Sequence, residues 1–389
     1  MPSASAASPI IVDTDPELAL WLKLQATPGV GIETALRLLR EFGLPSAVFA
    51  NAPSALHQAV GPRLARALLA PSSPSTATLI TQTLAWCRQP GNFLLTLADP
   101  RYPRALLTIP DPPLLLYACG RIDLLQRPAL AVVGSRNATA QGMADAERFS
   151  RALGDAGLTI ISGLALGIDA AAHAGALPTP SGTVAVIGTG IDVIYPARHR
   201  ALTQRIAVQG CIVSEYPLGT PPMASNFPRR NRLISGLARA VLVIEAAAQS
   251  GSLITARVAA EQGRDVLALP GSIHAPLSRG CHRLIKQGAK LVECAQDVLD
   301  EIGTVEPAPH IVDAATTPAE QPPPASAPSA AIAPELAELH AALGFAPVDG
   351  DALAQRTGLD AADLSAQLFA LEMQGLLEVL PGGRYRRLD

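Results

Sequence analysis

Residues 226–271 read NFPRRNRLISGLARAVLVIEAAAQSGSLITARVAAEQGRDVLALPG. Arg229, Arg230 and Arg232 crowd into four positions. A short helical run and a wholly apolar strand follow, ending at Glu245, and Ser250-Gly251-Ser252 then opens a new helix at Leu253. A parallel α/β sheet presents its ligand edge in this order, with strand ends and helix N-termini aimed at one crevice. Guanidinium groups beside such a crevice call for a phosphate-bearing ligand, because their planar forks match phosphate oxygens.

The same alternation extends outward. Apolar runs at 130–133, 158–161, 183–187, 211–213, 240–244, 265–269 and 290–292 are separated by helical patterns. Continuous apolar strands between helices indicate an α/β fold with a parallel sheet covered on both faces. The proline-rich stretch 93–120 adds a strand or a cap ahead of that core.

A chain of 389 residues is long enough for two or more domains, and its 49% hydrophobic and 16% charged residues suit a globular protein. No apolar run reaches the roughly 18 residues that a membrane span needs. The opening MPSASAASPIIVDTD lacks the basic and apolar regions of a signal peptide. Cys87, Cys119, Cys211, Cys281 and Cys294 never form a C-x-x-C pair, so neither zinc nor a disulfide framework is expected, and reduced thiols in a cytoplasm fit.

The formal net charge of −3 hides a division. Residues 1–85 carry five basic and five acidic side chains; residues 86–303 carry 21 and 16, a net of +5; residues 304–389 carry four and twelve, a net of −8. Only the middle segment can attract a polyanion through its overall charge.

Four segments follow from this. Residues 1–85 read as short helices broken by glycine: Thr27-Pro28-Gly29-Val30-Gly31 before a helical run at 34–42 suggests a helix-hairpin-helix, with Val60-Gly61-Pro62-Arg63 as a degenerate second one. Such hairpins can offer N–H groups to phosphate, but the absence of net positive charge favours a packing role. Residues 86–303 form the α/β core. Residues 304–334 hold eight prolines and read as a linker. Residues 335–389 give helices at 335–343, 350–357 and 361–374 and then a hairpin, the order of a winged helix. Its would-be recognition helix, AADLSAQLFALEMQ, has no Lys or Arg and carries Asp363 and Glu372. Docking in a groove needs phosphate-neutralising groups, so a protein contact is the preferred reading. Arg384, Arg386 and Arg387 of the wing argue the other way.

Within the core, Gly134, Ser135 and Arg136 end the first strand. The glycine lets a ligand approach the backbone, while the serine and arginine supply a hydroxyl and a cation. Ser162 and Gly163 end the next, where N–H groups would face an anion. Asp169 reads as a cap or brace for the helix that follows, and His173, one turn on, is a candidate partner for it. Tyr195 either stacks on a base or packs in the core. Arg198 or Arg200 extends the positive surface. Phe227, Arg229, Arg230, Asn231 and Arg232 form the densest cluster. Ser250, Gly251 and Ser252 make an anion nest opposite.

The absences narrow the class. The three lysines, Lys23, Lys286 and Lys290, follow no G-x-x-x-x-G, so there is no Walker A loop. Neither G-x-G-x-x-G after the first strand nor G-x-S-x-G occurs, and no carboxylate cluster suits magnesium. No cofactor and no catalytic machinery are expected.

GSRNATAQG (134–142), SGLALGIDAAAH (162–173), SEYPLG (214–219), FPRRNRLISGL (227–237), EAAAQSGSLITA (245–256) and ALPG (268–271) resemble successive motifs of the DNA-processing protein A (DprA/Smf) family. The resemblance is strongest over about residues 90–303 and weaker for the N-terminal helical and C-terminal winged-helix parts. It implies an extended Rossmann-like core with a helical domain of the SAM or helix-hairpin-helix kind and a winged helix. It also implies a dimeric, single-stranded-DNA-binding protein that protects incoming strands and helps load the RecA recombinase in natural transformation. Arg136 would then grip the DNA backbone, with Ser162 and Gly163 lining the same pocket and the FPRRNR arginines at its rim. The family often places a basic residue after Tyr-Pro and an asparagine two further on; Ala197 and His199 stand there, and Arg198 between them is the substitute. A second reading, from another class, is a phosphoribohydrolase-like nucleotide enzyme, although Gln249-Ser250-Gly251-Ser252 replaces its P-G-G-x-G-T turn. A third, a protein-interaction scaffold, leaves the arginines without purpose.

Overall fold

The computed structural model describes residues 15–303, 333–343, 347–380 and 382–388. The first 14 residues and nearly all of the 304–334 linker lie outside them. Five helices come first: α1 (Asp15–Ala26), α2 (Ile32–Phe42), α3 (Pro45–Ala50), α4 (Pro53–Leu69) and α5 (Pro74–Cys87). Proline opens three of them, where its missing N–H would have had no helical partner. The expected second hairpin is reduced to a kink: Gly61, at φ +79°, breaks α4 ahead of Pro62. Trp21, Leu38, Leu56 and Leu68 of these helices share one core with Leu94, Leu115 and Tyr117. Those three sit on or beside strands β1 (Asn92–Thr96) and β2 (Leu115–Gly120), so the 93–120 stretch supplies two strands.

The core then alternates: β3 (Ala129–Val133), α6 (Ala140–Asp155), β4 (Thr159–Ser162), α7 (Ile168–Ala176), β5 (Thr183–Val186), α8 (Arg200–Gln209), β6 (Cys211–Ser214), α9 (Asn226–Leu237), β7 (Ala240–Val243), α10 (Ser252–Glu261), β8 (Asp265–Ala268), α11 (Arg279–Lys286), β9 (Lys290–Leu291) and α12 (Ala295–Ile302). The nine strands lie in the order β1-β2-β6-β5-β4-β3-β7-β8-β9. β1 and β2 run antiparallel at one edge, and the seven strands from β6 to β9 are parallel.

Burial on both faces explains the unbroken apolar strands. Along β3, Leu130 and Val132 enter one core layer while Ala129, Ala131 and Val133 enter the other. Each buried valine or leucine contributes about 1.5–3 kcal/mol. The chain winds to one side of β3 through β4, β5 and β6 and to the other through β7, β8 and β9. That reversal opens a crevice between the carboxyl ends of β3 and β7, where ligands bind open α/β sheets.

The C-terminal part holds α13 (Pro334–Leu343), β10 (Val348–Asp349), α14 (Gly350–Thr357), α15 (Ala361–Met373), β11 (Leu377–Leu380) and β12 (Arg384–Arg387). Asp349 and Asp360 cap α14 and α15 through their carboxylates. The strands pair as β10-β12-β11 over a core that includes Leu339, Leu353, Leu368 and Leu371, completing a winged helix.

Candidate nucleic-acid interface

A cleft of about 740 Å³ occupies the crevice between β3 and β7. Gly134, Ser135 and Arg136 line one wall, Ser250, Gly251, Ser252 and Thr255 the opposite one, and α9 the floor through Phe227, Arg230, Asn231 and Ile234.

Helix periodicity decides which α9 side chains arrive there. With 3.6 residues per turn, 227, 230/231 and 234 share one face, while 229 and 232 turn away. Only part of the arginine run can therefore meet a ligand.

The accessible chemistry is a short row of cation and rings. Arg136 is exposed, with its guanidinium carbon 5.7 Å from the centroid of Phe227. Phe227 in turn lies 5.5 Å from Tyr195, at an interplanar angle of 39°. Tyr195 is 44% exposed. A cation thus stands over one ring, with a second, exposed ring beside it at the cleft mouth.

Beneath this row the polar groups serve the scaffold. Arg230 is 4% exposed; its Nη1 donates to Gly163 O at 2.6 Å and to Val186 O. Asp169 accepts from Gly163 N (3.1 Å) and Ala165 N (3.3 Å). Burial pushes the Asp169 carboxyl upward against the pull of Arg230, and lowers Arg230 to about 10 against the pull of Asp169. Through its two carbonyl partners, Arg230 ties the ends of β4 and β5 to α9. A Cβ on Gly163 would lie 2.4 Å from the Arg230 guanidinium, so a side chain is excluded there.

Arg232 is bound elsewhere. Its Nη1 donates to Asp111 O at 2.7 Å, Nε lies 3.1 Å from Asp111 Oδ2, and Nη2 pairs with Glu215. Burial raises the Glu215 carboxyl, opposed by Arg232 and then Arg229.

Glu245 fixes the rim. Its carboxylate accepts from Thr139 N (2.9 Å) and Thr139 Oγ1 (2.6 Å), and its carbonyl accepts from Ser135 N (2.7 Å). Thr139 Oγ1 then caps α6 by accepting from Gly142 N at 2.9 Å. The loop carrying Arg136 is thus laced to the end of β7.

A family model for DNA recombination-mediator protein A matches residues 93–303, more than half of the chain, and one for the DprA winged helix domain matches residues 320–383. The chain belongs to the DNA recombination-mediator protein A (DprA) family. Protein Smf of Synechocystis is 37% identical over 95% of this chain and 99% of its own length. DNA processing protein DprA of Streptococcus pneumoniae is 50% identical over 53% of this chain and 73% of its own. The X-ray structure of DNA processing protein A from Streptococcus pneumoniae superposes with a TM-score of 0.63 at 37% identity, covering 75% of this chain and 98% of that one. A Helicobacter pylori DNA processing protein A, whose structure describes its single-stranded DNA binding mode, aligns at 32% identity and a TM-score of 0.49 over 54% of this chain and 95% of that one.

In this DprA-family chain, the cleft brings together Gly134, Ser135, Arg136, Phe227, Arg230, Asn231, Ser250, Gly251 and Ser252 among the expected site residues. Gly163 stands just beneath, against Arg230. The fold gives several of the expected residues other surroundings. Gly134 answers to packing, since a Cβ would meet Ile168 at 2.6 Å and Glu245 O at 2.9 Å. Ser162 is fully buried, donating to Val132 O, and the Gly163 N–H serves Asp169. Arg232 is spent on Glu215 and Asp111, and Arg229 is exposed on the outward side of α9. Arg198 is exposed but does not line the cleft, and its neighbour His199 bonds Leu164 O at 3.0 Å. His173 pairs with Thr183 Oγ1 at 2.7 Å, not with Asp169. The sequence reading missed the roles of Glu245 and Asp111, whose partners lie 106 and 121 positions away in the chain. No local pattern signals such pairs.

Proposed function

We propose that this chain binds unpaired DNA in the cleft between the ends of β3 and β7, protects it, and helps a RecA recombinase to load during natural transformation, without altering the strand chemically. The row of half-buried Phe227 between exposed Arg136 and exposed Tyr195 carries the reading. Sequence-neutral binding of a single strand needs a cation for the phosphates and ring faces for the bases. A duplex keeps its bases stacked inside, so ring faces at a cleft mouth reward only an unpaired strand. The excess of basic side chains in residues 86–303 supports attraction of a polyanion, and the relatives named DNA processing proteins fit the same role. Arg136 is the proposed backbone grip, Phe227 and Tyr195 the base platform, and Asn231 with Ser250–Ser252 the polar wall. Arg229 and Arg198 stand outside the cleft as flanking positive charge. A second copy of the chain is the proposed homodimer partner; β9 ends the sheet with Leu291 exposed, an open edge of the kind that pairs. The cytoplasm is the proposed location.

Fluorescence anisotropy with labelled oligo-dT and a duplex of equal length tests the reading. A clear preference for the single strand is expected. Equal affinity for both, or release of free base from nucleoside monophosphates, would overturn it.

A further inference from the structure

We infer that the winged helix docks on the core beside the DNA cleft through Glu378 and competes with the strand for that rim. The inference rests on the DNA-binding reading above. Glu378 Oε1 accepts the N–H of Ala140 at 3.3 Å, a bond between residues 238 positions apart. Ala140 is the first residue of α6, a 16-residue helix, and lies four positions after Arg136. The same carboxylate pairs with Arg386 of the neighbouring strand, whose side chain is 11% exposed, so it is held in place and not merely swept past.

A helix N-terminus following a strand-end turn is where phosphate oxygens settle, because its N–H groups and dipole favour negative charge. In the first turn of α6, Thr139 caps Gly142 and Glu245 takes the Thr139 N–H. The Ala140 N–H goes to Glu378 instead of to a ligand. Glu378 thus presents an internal carboxylate where a strand leaving Arg136 would present a phosphate.

Charge points the same way. The segment 304–389 carries a net of −8 and the segment 86–303 a net of +5. The helix α15 that a winged helix would lay in a groove has no Lys or Arg and bears Asp363 and Glu372. Its chemistry repels DNA and suits a basic protein surface, and the core of the same chain offers one. A strand entering the cleft would displace Glu378, and closure would lower the apparent affinity by the fraction of molecules open.

The test uses the full chain, comparing wild type, Glu378→Ala and Glu378→Gln for oligo-dT affinity at low salt. Amide exchange at Ala140 is followed in the DNA-free proteins. Releasing the carboxylate is expected to tighten binding by up to about tenfold, narrowing as salt rises, and to speed exchange at Ala140. If the alanine chain loses its unfolding transition, the glutamine chain, which removes the charge but keeps an acceptor for Arg386 and Ala140, is read instead, on DNA affinity alone. Where the wild type binds, unchanged or weaker binding by the variants, or Ala140 exchange equal in wild type and Glu378→Ala, overturns the inference. Failure of wild type to bind oligo-dT sinks the DNA reading instead, while the exchange data still report on the contact.

Discussion

Replacing Arg232 by alanine and replacing Arg136 by alanine should have opposite signatures, although both arginines belong to motifs that read as ligand-binding. Arg232 is an internal cation: its side chain is 11% exposed, and it faces Glu215 at 8% and the carbonyl and carboxylate of Asp111. Removing one partner of a buried pair leaves the other charge desolvated, which costs about 3–5 kcal/mol. Glu215 can escape part of that cost by protonating, since burial already raises its carboxyl. The loss should therefore be larger at pH 8 than at pH 5. Arg136 is exposed, so its removal forfeits only the ring contact with Phe227 and should change stability by less than about 1 kcal/mol. Its effect should appear in DNA binding, with the slope of log affinity against log salt flattening by about 0.7 for one lost phosphate contact. Urea unfolding and salt-dependent anisotropy on the same preparations separate the two. The reasoning fails if Arg232→Ala unfolds like wild type and flattens the salt slope, or if Arg136→Ala does neither.

Three further outcomes are expected. Phe227→Ala should weaken oligo-dT binding by about 1–3 kcal/mol, the range for one stacked base, while leaving duplex binding unchanged; equal losses for both ligands would remove Phe227 from the platform. Gly163→Ala should destabilise by about 1–3 kcal/mol through overpacking against Arg230, and a melting temperature equal to wild type would contradict that contact. His173 is buried and lowered to about 3 from its ordinary 6.5, so the unfolded state binds its proton first as pH falls. Its contribution is complete above pH 6.5 and declines below it, by about 2 kcal/mol at pH 5. In His173→Gln that part of the acid slope should vanish, and an unchanged slope would show that other groups carry it.

Much of the architecture was legible because parallel strands buried on both faces leave long apolar runs. All seven runs correspond to β3–β9 within a residue or two at each end. The two antiparallel strands were less visible: 93–120 is broken by proline, and the pairing of β2 with β6 joins residues about 95 positions apart. At the site, the Gly-Ser-Arg turn and the Ser-Gly-Ser turn are local features, and both reach the cleft. The arginine cluster is divided among different surroundings because α9 winds successive residues 100° apart around its axis. Tyr195, left open between stacking and packing, is exposed at the cleft mouth against Phe227.

Residue order alone determined where strands, turns and helices fall, and which family the motifs resemble, because those depend on neighbours a few positions away. Which cations face a ligand was decided only by folding. Glu215, Asp111 and Asp169 reach Arg232 and Arg230 from distant parts of the chain, and a guanidinium desolvated against carboxylates or carbonyls is no longer available to phosphate. Arg136 stays available because its loop, laced to Glu245, holds it at the surface beside an aromatic ring.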